Sequence, residues 1–173
     1  MLQNNRSKVL QSFFDYPLKN FQMREISRNV KISQPSVLNY LKSLLKEGLI
    51  LKENKGIYPS YRANRDSEIF KNYKKINLLF LIYQSNLIEY INNECFPRVI
   101  ILFGSASIGE DTDKSDIDLY VDSKTKDLNL KKYENLFKRK INLLYEEDFK
   151  KISPELKNNL INGIILKGYL KAF

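Results

Sequence analysis

The 173-residue chain is 43% hydrophobic and 28% charged, with six Gly and five Pro, a globular composition that excludes disordered and low-complexity classes. Its longest apolar run, residues 76–83, is too short to cross a bilayer, and its first residues lack a signal peptide's apolar core, so a cytoplasmic protein with no membrane partner is expected. A lone Cys95 excludes an internal disulfide, and the absence of His removes Ser-His and Cys-His catalysis together with most zinc sites.

The net charge of +9 is unevenly placed. Residues 1–65 hold twelve Lys/Arg against four Asp/Glu, whereas residues 95–173 hold fourteen against twelve. Positive charge concentrated in the first third points to a nucleic-acid-binding module there. In chain order, Val9, Leu10, Phe13 and Phe14 mark a first helix, and Met23, Ile26 and Val30 the inner face of a second. Ser33 is a natural N-cap with Pro35 in the first turn. The third helix buries Val37, Leu38, Leu41, Leu44 and Leu45 and stops at Gly48. Two short apolar stretches, residues 49–51 and 57–61, flank a Lys- and Gly-rich tip and predict a β-hairpin.

Three helices followed by a hairpin is the winged-helix order, and the run from Ile26 through Ser33-Gln34-Pro35-Ser36-Val37 to Gly48-Leu49-Ile50 resembles winged-helix transcriptional regulators. The core residues of the third helix leave Ser36, Asn39, Tyr40 and Ser43 facing outward, with Gln34 at the end that would enter a groove first. Short polar side chains there suit base edges, and Asn pairs bidentately with adenine. Lys52, Lys55 and Arg62 on the wing are expected to take phosphates or the minor groove. Double-stranded DNA is thus the expected partner of residues 1–65.

From 67 to 93 no Gly or Pro interrupts the chain. Ile69, Tyr73, Ile76, Phe80, Tyr83, Leu87 and Tyr90 repeat at spacings of four and three, a heptad stripe on one predicted connecting helix over 66–94. The stripe points to a homodimer, and the second half of the helix is expected to pack on the sheet that follows.

That sheet begins with Val99-Ile100-Ile101-Leu102-Phe103, an apolar, β-branched run that reads as a buried strand and ends directly in Gly104-Ser105. A strand opening at Gly-Ser into a helical turn offers backbone N–H groups and a hydroxyl to an anion. After an acidic loop, Asp116-Ile117-Asp118-Leu119 places two carboxylates on one strand face. Paired carboxylates repel unless a cation joins them, and Mg²⁺ accepts such hard oxygens alongside substrate phosphates.

The segment Leu102-Phe103-Gly104-Ser105, ten residues, then Asp116-Ile117-Asp118-Leu119 resembles the minimal nucleotidyltransferases of the DNA polymerase β superfamily. Kanamycin nucleotidyltransferase and the antitoxin nucleotidyltransferases paired with HEPN-domain toxins are relatives of that kind. The resemblance covers residues 95–173. It implies an α+β fold with a small mixed sheet flanked by helices, a nucleoside triphosphate substrate and two Mg²⁺ ions. Asp116 and Asp118 would hold the metals, Gly104 and Ser105 would contact the phosphates, and a protein acceptor such as a toxin becomes conceivable. Two departures stand out. Ile108 precedes Gly109 where the family usually has Arg, and the third carboxylate position, on the strand predicted at 140–145, falls on Asn142. An amide can ligate metal weakly but cannot act as a base. Glu146 shares the strand face but lies roughly 13 Å further on at the usual strand rise. The tail from Pro154 is expected to form one core-covering helix, with Gly163 and Gly168 as weak points.

The functional expectation is a Mg-dependent nucleotidyltransferase moving NMP to a protein or small-molecule hydroxyl, with a DNA-binding winged helix. The alternative is a DNA-binding regulator whose nucleotidyltransferase domain is an impaired nucleotide sensor or dimerisation unit.

Overall fold

The computed structural model describes residues 4–54 and 56–171. The chain divides into two compact units, residues 1–74 and 75–173.

In the first unit, α1 (Asn5–Asp15) starts where the Asn4 side chain accepts the Ser7 N–H at 2.8 Å. Helices α2 (Met23–Val30) and α3 (Gln34–Lys46) follow; Ser33 holds the N-cap position of α3 without a side-chain bond to its backbone, and Pro35 sits in the first turn. The Leu49 N–H bonds back to the Leu44 carbonyl at 3.0 Å, closing α3 at Gly48 as expected. The wing is β2 (Ile50–Glu53) paired antiparallel with β3 (Ser60–Ala63). Its second arm starts later than the sequence suggested, because Pro59 has no N–H to give a ladder. Ile57 and Tyr58 are left exposed instead. A third strand, β1 (Phe21–Gln22), pairs with β3 through Phe21↔Tyr61. Two residues carry no alternation, so no pattern announced it. The core gathers Val9, Leu10 and Phe13 from α1, Ile26 from α2, and Val37, Leu41 and Leu44 from α3.

The expected single connecting helix is two helices, α4 (Glu68–Gln84) and α5 (Leu87–Cys95). Asn86 sits in the left-handed region at φ 62°, and the Ser85 hydroxyl donates to the Ile82 carbonyl at 2.7 Å. Both act as local competitors to helical bonding, which explains a break without Gly or Pro. The break also resets the helical phase. Leu78 and Ile82 of α4 join Leu87, Ile88 and Ile91 of α5 in the core, while Ile76, Phe80 and Tyr83 are exposed. The second half of the expected helix, α5, packs on the sheet through Leu87, Ile88 and Ile91, whereas the stripe residues of α4 stay largely exposed, with the Tyr83 hydroxyl donating to the Leu166 carbonyl at 2.9 Å.

The second unit is built on a four-stranded mixed sheet in the order β6-β5-β4-β7. Central β4 (Val99–Phe103), buried throughout, runs antiparallel to β5 (Ile117–Val121), and β5 runs parallel to β6 (Ile141–Tyr145). The short α6 (Ser105–Ile108) follows β4, and α7 (Lys131–Phe137) links β5 to β6. One sheet face, with Ile100, Leu102, Ile117, Leu119 and Val121, packs with α5 and Tyr133; the other, with Val99, Ile101, Phe103 and Tyr120, packs with Ile152 and Leu160.

The tail corrects the sequence reading. Helix α8 (Pro154–Ile161) is followed by β7 (Ile164–Gly168), an antiparallel partner of β4. Gly163 makes the turn possible: a Cβ there would lie 2.7 Å from Ile101 Cγ2 and 2.8 Å from the Leu102 carbonyl oxygen. The residue that weakened a helix is the one that lets the chain press against β4 and become a strand.

Candidate active site and nucleic-acid interface

The site forms where three adjacent strands bring residues from distant parts of the chain to one end of the sheet. Register places Asp118 of β5 opposite Phe103 of β4 on one side and opposite Asn142 of β6 on the other. The half-buried Asp118 carboxylate is bonded on one side and lies close to a glycine on the other. Asn142 Nδ2 donates to Asp118 Oδ1 at 3.1 Å. Beyond Phe103 the chain turns at Gly104 with φ 70°, and a Cβ at Gly104 would stand 2.9 Å from Asp118 Oδ2. Glycine is required here twice, for the backbone conformation and for the carboxylate beside it.

Ser105 opens α6, and its carbonyl accepts the Glu110 N–H at 3.0 Å, which closes the turn; Ser107 Oγ donates to the Gly104 carbonyl at 2.7 Å. Asp116 is exposed and stands one residue before β5. Asn142 is thus aligned with Asp118, and its side chain reaches the carboxylate. Glu146 lies at the far end of β6, where its carbonyl accepts the Tyr120 hydroxyl at 2.8 Å and its carboxylate accepts the Asp148 N–H. It does not join the site. Burial pushes the Tyr120 phenol up to about 12, with the Asp122 charge adding to the effect.

Sequence reasoning missed Arg139, which lies between α7 and β6 and belongs to no motif. Its guanidinium donates from Nε to the Ser115 carbonyl at 2.8 Å and from Nη2 to the Asp116 carbonyl at 3.1 Å, and Nη1 pairs with the buried Asp111. Beside it, the Ile117 N–H bonds to the Lys140 carbonyl at 2.9 Å. The acidic loop is therefore tied to the start of β6.

In the first unit, Gln34 and Asn39 are exposed on α3, and Lys52 on β2. Ser36 bonds the Ser33 hydroxyl at 2.9 Å, and Tyr40 is half-buried against the core. Ser43 donates to Glu47 at 2.8 Å and accepts from Arg6 Nε at 3.4 Å. Arg62 pairs with Glu53 at 2.7 Å across the hairpin. Lys55 lies outside the described residues. The exposed polar set on α3 is thus narrower than the helical wheel implied, with Ser43 and Arg62 engaged within the fold.

A helix-turn-helix with a wing and a mixed sheet bearing a Gly-Ser turn against Asp-x-Asp define a DNA-binding module joined to a nucleotidyltransferase-type domain. Residues 85–170 match the family of polymerase beta nucleotidyltransferases, and residues 4–52 match the bacterial regulatory proteins of the arsR family. The chain carries one domain of each. No curated protein matches the chain. Among the described residues, no helix is long and apolar enough to cross a membrane.

Proposed function

We propose that the chain is a Mg-dependent nucleotidyltransferase that moves NMP from an NTP to a hydroxyl of a protein or small-molecule acceptor, with its winged helix docked on duplex DNA. The observation that carries this reading is the Asp118 carboxylate at the sheet end, bonded by Asn142 and closely approached by the Gly104 turn, with Asp116 two residues before it. Among the described residues no group of three or more His, Cys, Asp or Glu gathers to form a protein-only metal cage. Two carboxylates and an amide fit instead a Mg²⁺ that arrives with a triphosphate, since that ion takes much of its octahedron from phosphate oxygens and water. Asp116 and Asp118 would hold the metal, whose chemistry is to neutralise charge developing on the phosphates.

The residues of the chain do the rest. Gly104 leaves the backbone open to close approach by phosphate, and Ser105 presents a hydroxyl beside it. In transfer, the acceptor oxygen bonds to the α-phosphorus and the bond to the β-phosphate oxygen breaks, releasing pyrophosphate. Asn142 cannot take the acceptor's proton, which passes to solvent. On the DNA side, Gln34, Asn39 and Lys52 are the exposed residues best placed to reach a duplex, with Ser36 and Tyr40 at the rim; Ser43, Lys55 and Arg62 complete the set expected from the sequence. Homodimerisation is assigned to α4, whose apolar stripe stays exposed in Ile69, Tyr73, Ile76, Phe80 and Tyr83.

The Asn142–Asp118 hydrogen bond also favours a second reading, in which the domain binds Mg-nucleotide without transfer and informs a DNA-binding regulator. One assay separates the two. Incubation with α-labelled ATP, Mg²⁺ and a panel of protein and small-molecule acceptors is expected to label an acceptor, and Asp116→Ala to abolish labelling. Nucleotide binding with no labelling of any acceptor would establish the sensor instead.

A further inference from the structure

We infer that Arg139 is a positioning residue for the metal-binding carboxylates, locking the loop that carries Asp116 to the strand that carries Asn142. The inference rests on the Mg-nucleotide reading of the site and deepens it.

All three arms of the guanidinium are used on one loop. Nε and Nη2 hold the carbonyls of Ser115 and Asp116, and Nη1 pairs with Asp111. The Arg139 side chain is 13% exposed and that of Asp111 3% exposed, so the pair is shielded from solvent and from screening by salt. Arg139 immediately precedes the backbone bond from Ile117 N–H to the Lys140 carbonyl, where β5 and β6 begin their parallel pairing. A single side chain thus fixes the backbone of Asp116 at the mouth of the site and ties it to the element bearing Asn142.

The two carboxylates depend on this lock unequally. Asp118 sits within β5, held by ladder bonds on both sides and by Asn142. Asp116 stands ahead of the strand, exposed, and its carbonyl bond to Arg139 fixes the peptide that follows it. Loosening that peptide lets the Asp116 carboxylate swing away from a metal while leaving Asp118 and the Gly104 turn in place. The clamp is therefore specific for the metal-dependent part of nucleotide binding.

Arg139→Lys tests this. Lysine keeps a positive charge for the buried Asp111 but cannot bond two carbonyls and a carboxylate through a planar fork. Affinity for a non-hydrolysable ATP analogue is measured for both proteins with Mg²⁺ and with EDTA, alongside hydrogen exchange of the ligand-free proteins. The variant is expected to stay folded and to lose about tenfold or more in affinity with Mg²⁺, the usual effect of removing a group that orients a metal ligand. Its affinity in EDTA should match the wild type, and its exchange should rise only over residues 111–116, ahead of β5. Unchanged affinity with Mg²⁺ in the folded variant, or an equal loss with and without Mg²⁺, would overturn the inference. If the wild-type protein binds no Mg-nucleotide, the reading of the site fails, and the exchange data alone decide whether the clamp exists.

Discussion

At the scale of single residues, the site is a set of side chains that constrain one another. Asn142 bonds the Asp118 carboxylate, Gly104 leaves room for it, and Tyr120, two residues on along β5, anchors the same sheet face through its hydroxyl bond to the Glu146 carbonyl. Tyr120 ionises at an ordinary value of 10.0 when unfolded and near 12 when folded. Its contribution to stability is therefore fully present below pH 10 and is lost as pH rises through about 12. Tyr120→Phe removes one buried hydrogen bond, so denaturant melts at neutral pH should show a loss of about 1 kcal/mol. Between pH 10 and 12 the variant should lose stability less steeply than the wild type. The motif residues were legible because their chemistry is local: Gly-Ser and Asp-x-Asp carry their spacing in the sequence. Asn142 was found only by aligning a predicted strand with a family pattern. Arg139 was invisible, since nothing in a lone Arg after a helix announces three bonds to a loop more than twenty residues earlier.

At the scale of elements, periodicity identified most helices and strands, and it failed where local and tertiary demands disagree. Residues 154–166 carry apolar residues at helical spacing, yet the edge of β4 is open and Gly163 fits closely against it, so residues 164–168 become β7. Pairing with β4 buries Leu166 and satisfies a row of backbone groups, which outweighs a helix interrupted by glycine. In α4 the heptad spacing is real but its residues stay largely exposed, with Tyr83 bonded to the Leu166 carbonyl, while the break at Ser85 and Asn86 resets the helical phase and α5 buries Leu87, Ile88 and Ile91. The exposed stripe has uncharged Asn72 and Gln84 on its flanks, so two copies can meet without like-charge repulsion. Sedimentation equilibrium should find a dimer in the wild type and a monomer in Phe80→Lys. Phe80 is 42% exposed, so this change should leave stability within about 0.5 kcal/mol of the wild type. A monomeric wild type at tens of micromolar would contradict the assignment.

At the scale of the whole molecule, two units of different chemistry share one chain. The α+β class and both domain types were readable from the sequence because each has a dense signature: a helix-turn-helix with +8 in residues 1–65, and a strand-turn-strand that concentrates glycine and carboxylates. Less readable was which exposed residues remain available, since Arg6, Glu47 and Glu53 engage Ser43 and Arg62 within the first unit. The basic module can dock on DNA whether or not the second domain turns over, so nucleotide binding is the property on which both functional readings stand.

Calorimetric titration of the full chain with a non-hydrolysable ATP analogue, with Mg²⁺ and with EDTA, tests that property most directly. Binding should be markedly tighter with Mg²⁺, and Asp118→Ala should abolish the difference while remaining folded. Binding that is absent, or indifferent to both Mg²⁺ and Asp118, would contradict the account.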